Sequence, residues 1–179
     1  TADLTGITHL LGKESVLVNK SIEVPDGHYE ELVMKKTVVP NRNMLMLAVA
    51  TSYAISEKFD GIVYGAHAGD HAIYPDCRKE FTDALAKAIL LCDWHKVELH
   101  RPFIKKTKAD IARTGKYLDV DFTKTWSCYK GEEKQCGQCA TCIERREAFH
   151  LSEMEDHTEY KDNAPTIEDL VKVDFKIND

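Results

Sequence analysis

The chain has 179 residues, 43% of them hydrophobic and 30% charged, and a formal net charge of −6. That length suits one domain, or one domain with a tail, and buries roughly 70% of the unfolded surface without staples. No apolar run approaches the ~18 residues of a membrane span, and the opening residues lack the apolar core of a signal peptide, so we expect a cytoplasmic protein with no membrane partner.

The charge is unevenly placed. Residues 1–150 hold 21 basic and 21 acidic side chains, whereas residues 151–179 hold nine acids and three bases. The neutral body lacks the basic face that nucleic acid requires, so no direct nucleic-acid binding is expected. The acidic tail reads as a solvated extension. Thr1 is not a methionine, and the opening "TADLTGITHLLGKESVLVNK" does not read as a fresh beginning.

In chain order, "PNRNMLMLAVATSYAISEKFDG" predicts a helix entered from a turn at 40–43. Asn41 or Asn43 would cap it, and the nearly continuous apolar run from Met44 to Ile55 would bury most of its surface. Asp60–Gly61 would end it, and "GIVYGA" follows as a short, fully buried strand. A helix feeding such a strand suggests a parallel sheet with helices on its faces. The next stretch, "AHAGDHAIYPDCRKEF", is a loop broken by Gly69 and Pro75. Phe81, Leu85, Ala88, Ile89 and Cys92 then recur at helical spacing, with Cys92 expected in the core. "HKVELHRPF" reads as a second strand closed by Pro102. "TKADIARTG" reads as a helix capped by Thr107 and Asp110 and stopped by Gly115. This order predicts an open α/β sheet, in which ligands bind beyond the carboxyl ends of the strands.

Four of the six cysteines, Cys128, Cys136, Cys139 and Cys142, follow the spacing C-x7-C-x2-C-x2-C. Two-residue gaps let successive sulfurs converge on one cation, and four thiolates leave no open coordination position, so the site should be structural. The loop is polar and contains Gly131 and Gly137, so it has little apolar surface of its own, and a metal supplies the missing constraint. Zinc is the expected ion. An iron–sulfur cluster is the rival, but its usual run carries a following fourth cysteine and proline, and here the fourth cysteine lies upstream.

The loop 67–78 is rich in polar groups. His67, Asp70 and His71 are metal-ligand types, but Gly69 argues against the helix that would converge the two histidines. Asp70, Tyr74, Asp76 and Arg78, stiffened by Pro75, make a substrate-binding loop the better reading. Arg42 at a helix start and Lys108 after a strand are placed to offer positive charge to a carboxylate or phosphate at the same crevice. Cys77 has a cationic neighbour in Arg78 but no evident base.

The stretches "VPNRNMLML", "GAHAGDHAIYPDCRKEF", "RPFIKKTKADI" and "SCYKGEEKQCGQCATCIERREAF" resemble the 7-cyano-7-deazaguanine synthase (QueC) family in order and spacing from about Val39 to Phe149. The resemblance implies a Rossmann-like fold of the adenine-nucleotide α-hydrolase or PP-loop type, a parallel sheet with helices on both faces and a C-terminal four-cysteine zinc loop. It implies an ATP-dependent carbon–nitrogen ligase that adenylates 7-carboxy-7-deazaguanine, converts it to an amide with ammonia, and activates the amide oxygen with a second ATP to leave the nitrile. Carried over by position, the zinc ligands fall on Cys128, Cys136, Cys139 and Cys142. The Tyr-Pro-Asp-Cys-Arg segment falls on Tyr74 to Arg78, and the family's helix-start arginine and strand-end lysine fall on Arg42 and Lys108. We expect Arg42, Asp70, Arg78 and Lys108 to be catalytic and Tyr74 and Asp76 to bind substrate. ATP with Mg²⁺ is the implied co-substrate, Zn²⁺ the structural ion, and a homodimer the default assembly.

The family's phosphate-binding loop, S-G-G-x-D-S, occurs nowhere in the chain. We therefore expect the carboxyl-terminal part of a longer or split enzyme: an incomplete nucleotide-binding-type domain over 1–127, the zinc loop and following helix over 128–150, and the acidic extension over 151–179. The alternatives are a related ligase acting on another deazaguanine, or a non-catalytic zinc-stapled binding module. Arg78→Ala is expected to leave folding intact and to weaken substrate binding or turnover; normal kinetics in that variant would remove Arg78 from the site.

Overall fold

The computed structural model describes residues 1–131 and 133–177. The last two positions of the acidic extension thus lie outside the described residues. At the centre is a two-stranded parallel sheet, β1 (Gly61–Val63) and β2 (Glu98–His100), with Ile62 opposite Leu99. Helix α1 (Arg42–Ser56) feeds β1, and α2 (Lys79–Leu91) feeds β2. Leu47 and Ala54 of α1, Ile89 of α2, Val97 and Leu99 form one core, against which Ile55, Ile62 and Leu85 pack.

Parallel pairing and element order match the reading of the sequence, but several burial expectations do not hold. Only Leu47, Thr51 and Ala54 are buried on α1, while Met44, Met46 and Tyr53 are exposed. Val63 is 69% exposed although "GIVYGA" reads as an interior strand. Both follow from the sheet having two strands: alternation sends Ile62 toward the helices and Val63 to the opposite face, which is uncovered among the described residues. Cys92 is also exposed, because it lies one residue past α2, and its thiol donates instead to the Ile89 carbonyl at 3.1 Å.

The helix ends show where local chemistry was read correctly and where it was not. Thr107 and Asp110 form the predicted capping box on α3 (Lys108–Tyr117), each side chain accepting from the other's backbone amide. Gly115, however, lies inside α3 and does not stop it. A β-carbon there would sit 2.5 Å from Cζ of Phe122, so the residue is small to admit that ring, and the chain leaves the helix at Asp119 with φ +55°. At the start of α1 neither asparagine caps with its side chain. Asn41 instead takes a left-handed conformation, φ +59°, that turns the chain into the helix.

The remaining layer is built around α4 (Ala140–Leu151), which packs along α3. The amino-terminal segment reaches α4's entrance through an Asp26–Cys139 bridge, with the Gly27 amide donating to the Gln138 carbonyl at 3.1 Å. The acidic segment expected to be solvated packs back as well. Gln135 bridges Tyr160, and Leu170 of the short α5 (Ile167–Lys172) is fully buried with Ile143 and Phe175. Its acids remain mostly at the surface, which is why composition alone suggested a free tail. Leu170→Ala is expected to cost about 2–5 kcal/mol of stability, the usual range for emptying a buried leucine site. A melting temperature equal to wild type would show that the segment is not docked.

Candidate functional site

Two structures meet at α4, a thiol cluster and a polar crevice. The cluster comprises Cys128, Cys136, Cys139 and Cys142, all buried, with their ligand atoms within 4.8 Å of one another. The sulfurs of Cys136 and Cys142 lie 3.9 Å apart. Tetrahedral coordination with metal–sulfur bonds of about 2.3 Å requires roughly 3.8 Å between sulfurs, so the donor set fits one ion. Backbone amides also converge on the sulfurs: Cys136 N–H donates to Cys128 Sγ at 3.4 Å, and Cys139 N–H to Cys136 Sγ at 3.3 Å. Such bonds favour thiolates and orient them. Gly137, between two of the cysteines, has φ +75°, a conformation that lets the turn close and that disfavours a side chain. The proximity of Cys136 and Cys139, with burial, pushes the Cys142 thiol up. Four ionised sulfurs this close need a cation among them.

The crevice lies past the carboxyl ends of β1 and β2. The loops that follow the strands are tied together, the Ala68 amide donating to the Lys106 carbonyl at 2.9 Å. His67 is buried. Its Nδ1 accepts the Gly69 amide at 3.1 Å, so the neutral ring carries its proton on Nε2. That nitrogen faces Asp70 Oδ2 at 3.3 Å and Glu144 Oε1 at 3.5 Å. Burial, with Lys108 second, pulls the imidazole well below its usual range, which keeps it neutral. Lys108 Nζ lies 3.3 Å from Glu144 Oε2. Burial raises the Glu144 carboxyl and the Lys108 ammonium opposes that rise.

Of the residues singled out in the sequence, Arg42, Asp70, Tyr74 and Lys108 border this region. Asp70 and Arg42 both act electrostatically on Cys77 and Tyr129, and Asp70 and Lys108 both on His67 and Glu144. The Tyr74 hydroxyl lies 2.6 Å from Thr37 Oγ1; Thr37 donates to the Met34 carbonyl, so Tyr74 is the donor of the pair. Asp76 sits beside Cys77, whose thiol is 3.9 Å from Asp76 Oδ1. Arg78 is exposed and its Nε donates to the His71 carbonyl at 2.8 Å, which braces the loop. Burial pushes the Cys77 thiol up to about 12, which favours the protonated form.

Sequence reasoning missed Glu144, Tyr129 and Thr37. One signal was available for Glu144: "IERREAF" directly follows a metal ligand, so the helix begins inside the protein and its charges must find partners there. Glu144, Arg145 and Arg146 are all buried. Arg145 donates to Thr125 and Thr158 hydroxyls at 2.8 Å each and to the Phe122 carbonyl at 3.1 Å. Arg146 lies 4.7 Å over the Tyr160 ring.

Residues 3–153 match the family described as queuosine biosynthesis protein QueC. The chain belongs to the QueC family. It is 56% identical to a 7-cyano-7-deazaguanine synthase of Caldicellulosiruptor saccharolyticus, over 82% of this chain and 65% of the relative. It is 47% identical to one of Hahella chejuensis, over 89% of this chain and 68% of the relative. With one of Methanoregula boonei the identity is 51%, over 82% and 68%. The chain thus spans about two thirds of the length of these QueC relatives. The matched region contains both the cysteine cluster and the strand-end crevice.

Cys139→Ser is expected to abolish stoichiometric metal binding and to lower the melting temperature, read by elemental analysis and thermal denaturation. One metal ion per chain with unchanged melting in that variant would contradict the structural role.

Proposed function

We propose that this chain is the larger part of an ATP-dependent ligase that converts 7-carboxy-7-deazaguanine and ammonia to 7-cyano-7-deazaguanine. The observation that carries the reading is the coincidence, in one chain of the QueC family, of a polar crevice at the strand ends, bordered by Arg42 and Lys108, with the four-sulfur clamp that supports its wall. The identities with named synthases support the activity, and their greater length supports a phosphate-binding loop supplied by further sequence or by a second chain.

The chemistry has a definite requirement. A carboxylate is a poor electrophile, and its oxygen leaves only as part of a phosphate ester. ATP adenylates the acid and releases pyrophosphate; ammonia attacks the carbonyl carbon and displaces AMP; the amide oxygen takes a second adenylyl group and departs as AMP, leaving the nitrile. Each step gathers anions and forms an intermediate that water would destroy, so the site must be cationic and closed. Arg42 and Lys108 supply positive charge for the carboxylate and phosphate. Asp70, Tyr74 and Asp76 line the substrate side, and Arg78 holds the loop carrying them. The four thiolates suit Zn²⁺ in a saturated, structural role. ATP would arrive with Mg²⁺ bound through its phosphates. The exposed apolar side chains of α1 and β1 support a further covering layer, from companion sequence or from a second copy in a homodimer.

Supplied with its companion sequence, ATP, ammonium and 7-carboxy-7-deazaguanine, the chain is expected to yield the nitrile by mass spectrometry with two AMP released per product. A metal-loaded assembly that binds the acid but never forms amide or nitrile would overturn the reading in favour of a non-catalytic module.

A further inference from the structure

We propose that Glu144 is a positioning residue for the ligase reaction: its carboxylate, held by His67, aims the Lys108 ammonium into the strand-end crevice. This rests on the functional reading above, in which Lys108 meets the anionic groups of the reactants, and it names the residue through which that charge is placed.

Helix chemistry does not account for a lysine at position 108. It is the first residue of α3, and the free amides of a helix entrance carry partial positive charge that repels an ammonium. Asp110, the acid in that first turn, is engaged elsewhere: it accepts from the Thr107 amide at 3.0 Å, the Thr107 hydroxyl at 2.9 Å and the Arg113 guanidinium at 3.1 Å. The countercharge comes from another helix, with Glu144 Oε2 of α4 lying 3.3 Å from Lys108 Nζ. The Glu144 side chain is 9% exposed and that of Lys108 39%, so the ammonium is gripped from the protein side and open on the other. An ammonium has three donors, and one directed at Glu144 leaves two for an anion in the crevice. Lysine has a long flexible stem, and fixing it before substrate arrives removes an entropy cost from the productive complex.

The carboxylate itself has little freedom. Its Oε1 faces His67 Nε2 at 3.5 Å, and that ring is oriented by the Gly69 amide, which donates to Nδ1 at 3.1 Å. The loop closes on the same oxygen. A β-carbon at Gly69 would lie 3.0 Å from Glu144 Oε1 and 2.9 Å from His67 Cε1, so the backbone approaches too closely for a side chain there. At the other end, α4 is fixed where Cys139 and Cys142 enter the thiol cluster. Asp70 Oδ2, 3.3 Å from the same imidazole nitrogen, sets a second acid on this side, and Lys108 is the cation that answers the pair. The order thiol cluster, α4, Glu144, Lys108 thus carries the placement of a buried helix to a charge at the crevice. Glutamine at position 144 keeps the shape and one acceptor but loses the charge that holds the ammonium.

The metal-loaded chain is labelled with ¹³Cε-lysine, and side-chain order parameters are measured by NMR, with Lys108→Met assigning the signal. Lys108 is expected to show an order parameter at least about twice that of the exposed Lys116 on the same helix, and to fall to the level of Lys116 in Glu144→Gln. Equal order at the two lysines in wild type, or unchanged order at Lys108 in a Glu144→Gln chain of wild-type metal content and melting temperature, overturns the proposal; the wild-type comparison decides even where the variant does not fold. In the assembly with companion sequence, Lys108→Met and Glu144→Gln are each expected to lower kcat/KM for the acid about tenfold or more. Once Lys108 is already replaced by methionine, Glu144→Gln is expected to lower it by less than about twofold. A merely structural glutamate would multiply the two losses, and that result overturns the proposal. Wild-type kinetics in Glu144→Gln overturn it too and leave the functional reading standing. Order at Lys108 that depends on Glu144, in an assembly that makes no nitrile, supports the aiming of the ammonium and sinks that reading.

Discussion

The structure depends on four sulfurs brought within 4.8 Å of one another at the start of one helix. Such a cluster is unfavourable unless a cation neutralises it and strongly favourable once it does, with apparent binding energies for four-ligand zinc sites on the order of 10–16 kcal/mol. That constraint lets a polar loop end in a helix whose first two turns are almost entirely buried. Cys139 stands at the entrance to α4 and Cys142 lies in its first turn, so the direction of the helix is set at the thiol cluster. The chain before and after it then docks on the result, through the Asp26–Cys139 and Gln135–Tyr160 bridges.

A helix fixed from one end can carry charge into a protein interior. Burying Glu144, Arg145 and Arg146 would be prohibitive for a helix free to rotate outward, since unpaired buried charges cost several kcal/mol each. Here each has partners from a different part of the chain: His67 and Lys108 for Glu144, the Thr125 and Thr158 hydroxyls for Arg145, the Gly137 carbonyl and the Tyr160 ring for Arg146. The two arginines lock the metal loop and the acidic segment together. The glutamate faces the strand-end crevice. The thiol cluster thereby supports the wall of the crevice from outside it.

Features set within a few residues could be read in advance. The C-x2-C spacing located the clamp, the Thr107 and Asp110 pair located the entrance to α3, and the helix-then-strand order located the crevice that Arg42, Asp70, Tyr74 and Lys108 border. What escaped was set by distance along the chain. Glu144 is a surface residue by type and becomes part of the site only because α4 is pinned from its start. Gly115 looks like a stop signal until Phe122 is seen to need its space. The acidic segment looks free because its few apolar residues, Leu170 and Phe175, are too sparse to declare a docking face. Val63 fits an interior pattern, and only the extent of the sheet decides that nothing covers it among the described residues; Cys92 fits the helical pattern but falls one residue past the end of α2.

Thiol cluster, helix and crevice thus form one mechanical unit, and amide hydrogen exchange reads that unity directly. Measured on the metal-loaded chain and again after chelation, protection along residues 140–151 and 160–175 is predicted to collapse together when the ion is removed, while α1, α2 and the strands keep theirs. Protection of α4 that survives complete removal of the metal would contradict the account.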